Sequence, residues 1–261
     1  MAAPWDEFGA EGGLFRKLSA ASATEWRDYT WHPFVQSLSA GTLPLKAFQH
    51  YLIQDYLFLI HFARAKALAV LKGESLAAMR DKAAAVLAIL DETKLHLKYC
   101  AEWGLSESDV VSVPETAETV SYTRWVLDRG YAGDILDLEV ALVPCTVGYA
   151  QVALRILADP ARQRDGNPYQ SWIDTYGAAS YQEMAHAAAR RIDALGVSHG
   201  GEARFARLAA DFAEAARLEQ RFWQQGLDAV GRTWRCACWW PCLAGWIAAW
   251  WLRCSRKPGM R

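Results

Sequence analysis

Apolar residues recur at helical spacing along almost the whole chain, and no stretch alternates with the two-residue period of a half-buried strand. A chain patterned this way can bury its apolar stripes only helix against helix, so the expectation is an all-α bundle in a single domain. Proline and glycine punctuate the pattern. Helices are expected over 14–29 and 32–38. Pro44 then sits at a first helical turn and opens a long helix over 45–71 that stops at Lys72-Gly73. Ser75 can cap the next helix, which runs to Gly104, and 105–113 reads as loop. Further helices are expected over 115–129, 133–158, 169–176, 179–195 and 202–230, with a clear turn at Arg164-Asp165-Gly166-Asn167-Pro168.

Three polar residues interrupt the apolar stripes. Asp55 falls in line with Phe48, Leu52, Leu59 and Phe62. Cys145 lies in the run Leu138, Leu142, Tyr149, Val152, and Glu219 in Leu208, Phe212, Ala215, Phe222, Gly226. A carboxylate facing a core is costly unless paired or hydrogen-bonded, so two of them and a thiol suggest one buried polar site. The plainer alternative is three unconnected features, each acid answered by a nearby Arg or Tyr.

The formal charge of −1 gives no electrostatic case for nucleic acid or an anionic membrane as partner. The first residues lack a basic segment followed by an apolar run, and no spanning segment free of charges is read in the body, so the expected location is cytoplasmic. Only Cys100 and Cys145 precede Gly231, which fits a reducing compartment.

From 231 to 261 the composition changes. Cys236, Cys238, Cys242 and Cys254 stand among six tryptophans, and every charge is Arg or Lys. Cys236 and Cys238 with Cys242 could take a soft metal, but no second ligand pair at zinc spacing follows. The reading is a domain over 1–230 and an atypical tail outside it, with no chemistry assigned to the tail.

Pro144 adds weight to Cys145. Proline inside a helix removes an amide donor and clashes with the carbonyl four residues back, which can aim the next residue into a cavity. One turn on, Tyr149 brings a phenol to the same face. His32, His61, His96, His186 and His199 have no motif linking them to Cys145. A cysteine with a glutamate and no compulsory histidine suggests attack on an electron-poor carbon with acid catalysis of a departing amine.

Six blocks of sequence then fall in a telling order. They are His32-Pro33-Phe34-Val35-Gln36 with Gly41-Thr42-Leu43-Pro44, Tyr51-Leu52-Ile53-Gln54-Asp55-Tyr56, Ser121-Tyr122-Thr123, Leu142-Val143-Pro144-Cys145, Trp172-Ile173-Asp174-Thr175-Tyr176-Gly177 and Glu219-Gln220-Arg221-Phe222-Trp223. Together they resemble the TenA/thiaminase II family of aminopyrimidine hydrolases, over the chain from about Leu14 to Val230.

The resemblance implies a haem-oxygenase-like helical bundle without haem, no metal or other cofactor, and a homotetramer. It implies hydrolysis of 4-amino-5-aminomethyl-2-methylpyrimidine to the hydroxymethylpyrimidine and ammonia, with thiamin itself as a further substrate. On this resemblance Cys145 is the nucleophile, Glu219 the acid/base, and Asp55 the residue that holds the pyrimidine. Tyr122, Tyr149 and Tyr176 match tyrosines lining the pocket. Phe58 stands where the best-known members have tyrosine, which keeps an aromatic surface and loses a hydroxyl.

Two other readings compete. One is a metal-dependent oxidase on the same fold, using Glu92, His96 and His61, although Asp91, Glu92 and Lys94 read as a solvated face. The other is a non-catalytic binder of thiamin-like pyrimidines.

Overall fold

The computed structural model describes residues 8–231, which form eleven helices and no strand. The Cys/Trp-rich stretch from 232 onward lies outside the described residues. In order the helices are α1 Leu14–Ala21, α2 Ala23–Thr30, α3 Pro33–Ser39, α4 Leu45–Leu71, α5 Leu76–Glu102, α6 Glu107–Ser112, α7 Ala117–Ala132, α8 Ile135–Ala158, α9 Gln170–Gly177, α10 Ala179–Ser198 and α11 Phe205–Gly231.

Side chains specify where the main helices begin. Ser75 accepts from the Ala78 amide at 3.1 Å to start α5, and Thr116 accepts from Thr119 at 3.3 Å to start α7. Asp134 caps α8 in a reciprocal box with Asp137.

Two expectations fail locally. The helix expected over 14–29 is broken at Ser22, whose φ of −114° and ψ of 29° turn the chain. The turn lets α1 pack on α10 while α2 packs on α8. The loop expected over 105–113 contains α6, started by a Ser106–Asp109 capping box. Its Ser-x-x-Asp pattern was a readable signal.

Helix α8 is the axis of the bundle, touching α2, α3, α4, α7, α9 and α10. By length and composition it could cross a membrane, but 78% of its most apolar window is buried inside this protein, as expected of a core helix. Pro144 is accommodated within α8. Tyr29 of α2 donates to the Pro144 carbonyl at 3.3 Å, and its ring occupies the space that a side chain at Gly148 would need. Helix α4 pairs with α5 in antiparallel fashion: Asp55 meets His96 at one level, and near the other end Lys66 and Lys82 both reach Glu139 of α8.

Candidate active site

The apolar stripes deliver Asp55, Cys145 and Glu219 to one buried region. Asp55 on α4 accepts from the Tyr51 hydroxyl at 3.0 Å, one turn earlier on the same helix. Its Oδ2 also lies 2.7 Å from Nε2 of His96 on α5. The other ring nitrogen of His96 faces the Glu92 carbonyl at 3.1 Å. A carbonyl offers no proton, so Nδ1–H donates to it, and in the doubly protonated ring Nε2–H donates to Asp55. Burial disfavours this imidazolium, but the bond to Asp55 and the negative charge of Asp55 and Glu92 outweigh it, leaving the His96 pKa above its ordinary value.

Glu219 on α11 is fully buried and accepts from the Tyr122 hydroxyl of α7 at 2.7 Å. Burial pushes its carboxyl up to about 8. Asp55 adds to the rise, and the donors Tyr122 and Cys145 hold it back. Near neutrality this side chain therefore holds a proton that it can release and regain. Cys145 is partly exposed, and that exposure is to the cavity. Burial pushes its thiol well above the usual range, and Glu219, Asp55 and Glu92 push it further, so the resting side chain is the thiol.

A cavity of about 450 Å³ opens on this cluster. Asp55, Cys145, Tyr149 and Tyr176 line it, with Glu92 and Tyr181. Glu219, Tyr122 and Phe58 are not on its wall. Cys145 lines the cavity and hydrogen-bonds Glu219, which in turn accepts from Tyr122. Phe58 is packed into an aromatic layer, its ring centroid 4.8 Å from Tyr122 and 5.5 Å from Phe222. Tyr149, Trp172, Tyr176 and Trp223 form a further ring cluster behind the cavity, with centroids 4.5 to 6.3 Å apart.

The solvated face expected at 91–94 is half right. Asp91 and Lys94 are exposed, but Glu92 turns inward and accepts from Tyr176 at 3.0 Å. Glu92 and His96 thus belong to the polar cluster, whereas His61 lies apart, paired with Glu115 and Arg124. Among the described residues no group of three or more His, Cys, Asp and Glu side chains is placed to hold a metal ion. The sequence offers Glu92 and His96 only as candidate metal ligands, and not as partners of Asp55, because α5 is patterned backwards. Leu76, Leu87 and Leu90 are exposed, while Lys82, Ile89, His96 and Cys100 are buried.

The helical architecture is that of a haem-oxygenase-like fold. A domain from Shewanella denitrificans described as having a heme oxygenase-like fold shares this architecture, with a TM-score of 0.64 over 82% of this chain and 92% of that one, at 16% identity. The chain belongs to the TENA/THI-4/PQQC family, whose model matches residues 20–229. The crystal structure of a TenA family transcription regulator from a Silicibacter species is 42% identical, with a TM-score of 0.78 over 85% of this chain and 98% of that one. An uncharacterized protein of Haemophilus influenzae is 42% identical over 82% of this chain and 99% of its own length. The aminopyrimidine aminohydrolase of Halalkalibacterium halodurans is 33% identical over 80% of this chain and 95% of its own length.

Proposed function

We propose that the protein is an aminopyrimidine aminohydrolase of thiamin salvage, acting on 4-amino-5-aminomethyl-2-methylpyrimidine, with thiamin as a further substrate. The observation that carries this reading is the contact of a cavity-facing thiol, Cys145, with a protonatable carboxyl, Glu219, beside the hydrogen-bonded carboxyl of Asp55. The naming of full-length relatives as aminopyrimidine aminohydrolases supports it.

In this reading the amino group and ring nitrogen of the pyrimidine bind at Asp55, which Tyr51 and His96 hold in place. The ionised form of Glu219 takes the thiol proton as the sulfur bonds to a ring carbon and the electron pair moves onto the ring nitrogen. The pair returns, the bond from the exocyclic methylene to the amine breaks, and the amine leaves with the proton held by Glu219. Water adds to the methylene, passing a proton back through Glu219, and the carbon–sulfur bond breaks to restore the thiol.

We further propose that the protein works as a cytoplasmic homotetramer. The exposed apolar residues Leu76, Met79, Leu87 and Leu90, spaced three, eight and three residues apart along α5, support self-association. Ammonia release from the aminomethylpyrimidine, compared with cleavage of thiamin, tests the activity. No ammonia at micromolar enzyme would end the hydrolase reading in favour of a pyrimidine binder.

A further inference from the structure

The cavity is a slot with two chemically different ends. Along α4 its wall runs Asp55, Leu59, Phe62, Lys66, all on one face of the helix. Eleven residues at 1.5 Å each place Lys66 about 16 Å along the axis from Asp55. Helix α10 runs beside it from Tyr181 through Met184 and Ala188 to Arg191. The Asp55 end carries the carboxylates and tyrosines, the middle is apolar, and the far end is cationic. A cavity of about 450 Å³ falls among those that take drug-sized ligands, roughly 300–1,000 Å³, more than one six-membered ring requires.

The cationic end is under-compensated. Lys66, Lys82 and Arg191 all pair with one carboxylate, Glu139 of α8, at 3.5, 3.2 and 3.7 Å. Among the described residues no other carboxylate forms an ion pair with any of the three. Glu139 and both lysines are buried. Burial raises the Glu139 carboxyl, but the three cations overcome it and hold it at about 2, so it is fully ionised. Two positive charges remain in excess, and around the two buried lysines such an excess is costly unless an anion balances it. A phosphate monoester, with a charge near −1.5 to −2 at neutral pH, matches that surplus, and an arginine fork suits its oxygens.

We propose that Lys66 and Arg191, set against Glu139 and Lys82, form a subsite for a phosphate monoester carried on the leaving-group side of the substrate's exocyclic methylene. The inference rests on the reading of the Asp55 end as the pyrimidine site. It makes the preferred substrate a phosphorylated, extended aminopyrimidine, with the small aminomethylpyrimidine occupying one end of the slot.

The test is calorimetric titration of full-length Cys145→Ala protein with thiamin and with thiamin monophosphate, which differ only in the phosphate. Tighter binding of the monophosphate by tenfold or more is expected. Adding Arg191→Gln should cut that preference to threefold or less, and Arg191→Lys should keep part of it. Arg191 is only part-buried, so its replacement is compatible with folding, and circular dichroism checks this. Equal affinities, or a preference that survives Arg191→Gln combined with Lys66→Gln, would overturn the subsite. Ammonia release by the wild type is scored separately. Release without a phosphate preference sinks the subsite alone, and a phosphate preference without release sinks the hydrolase reading alone.

Discussion

His96 holds Asp55 from a neighbouring helix: its Nε2 lies 2.7 Å from the carboxylate while its Nδ1 donates to the Glu92 carbonyl. The pair ties α4 to α5 at the polar end of the cavity and fixes the direction in which Asp55 presents its free oxygen. His96 is a positioning residue in this account, acting on substrate through Asp55.

Removing one partner of a buried ion pair is expected to cost about 3–5 kcal/mol. His96→Gln should therefore lower stability, and the deficit should depend on pH. The folded-state pKa of His96 lies above its ordinary value. Its contribution is thus full below about 6.5 and fades as pH rises through the folded value. Denaturant titrations at pH 6 and pH 9 should show a deficit that shrinks or reverses at the higher pH. A deficit of equal size at both would contradict the charged pair.

Glu219 gives a dependence of the same sign from a group that is neutral, not charged, when protonated. Its carboxyl sits at about 8 in the fold against roughly 4.3 in an unfolded chain. The folded protein keeps a proton that the unfolded chain has lost, so stability falls as pH rises between those values, by up to about 1.4 kcal/mol per pH unit. Glu219→Gln removes that slope, and its melting temperature should gain on the wild type from pH 5 to about pH 8 and level off above. The same variant should lose most of kcat while substrate affinity changes little, whereas Asp55→Asn should weaken affinity more. Matching kinetic profiles for the two would refute the division of roles.

Gly148 tests the packing around Pro144. A methyl at this position meets the Tyr29 ring, which is itself held by the Pro144 carbonyl. Overpacking of a dense core typically costs about 1–3 kcal/mol. Gly148→Ala should lower the melting temperature and, one turn from Cys145, slow turnover. A variant as stable as wild type would show that Tyr29 can retreat freely.

The stretch from 232 onward should be dispensable for chemistry. Every residue assigned to the cavity lies between Asp55 and Arg191, and Glu219 lies on a helix that ends at Gly231. A chain ending at Arg232 is expected to keep its turnover and its oligomeric state by size-exclusion chromatography. A tenfold fall in rate, about 1.4 kcal/mol of barrier, would place the tail in the working enzyme.

The helical class and the inward facing of Asp55, Cys145 and Glu219 were legible because each lies on a stripe whose neighbours bury about 2 kcal/mol of apolar side chain apiece. Periodicity reports burial, so it found the buried polar residues. It failed on α5, whose Leu76, Leu87 and Leu90 point outward and whose Lys82, Glu92 and His96 point in. Their stabilisation comes from partners on α4, α8 and α9, which no single-helix pattern contains. The break at Ser22 escaped for a related reason. Nothing in its flanking residues opposes a continuous helix, and packing of α1 and α2 on different neighbours decides it.

The central claim is that Cys145 forms the bond to substrate. The most direct test is to assay ammonia release by Cys145→Ala and to titrate the same protein with the hydroxymethylpyrimidine product. The account predicts a fall in kcat of about a thousandfold or more, with product affinity within a few-fold of wild type. Turnover near the wild-type rate in that variant would contradict it.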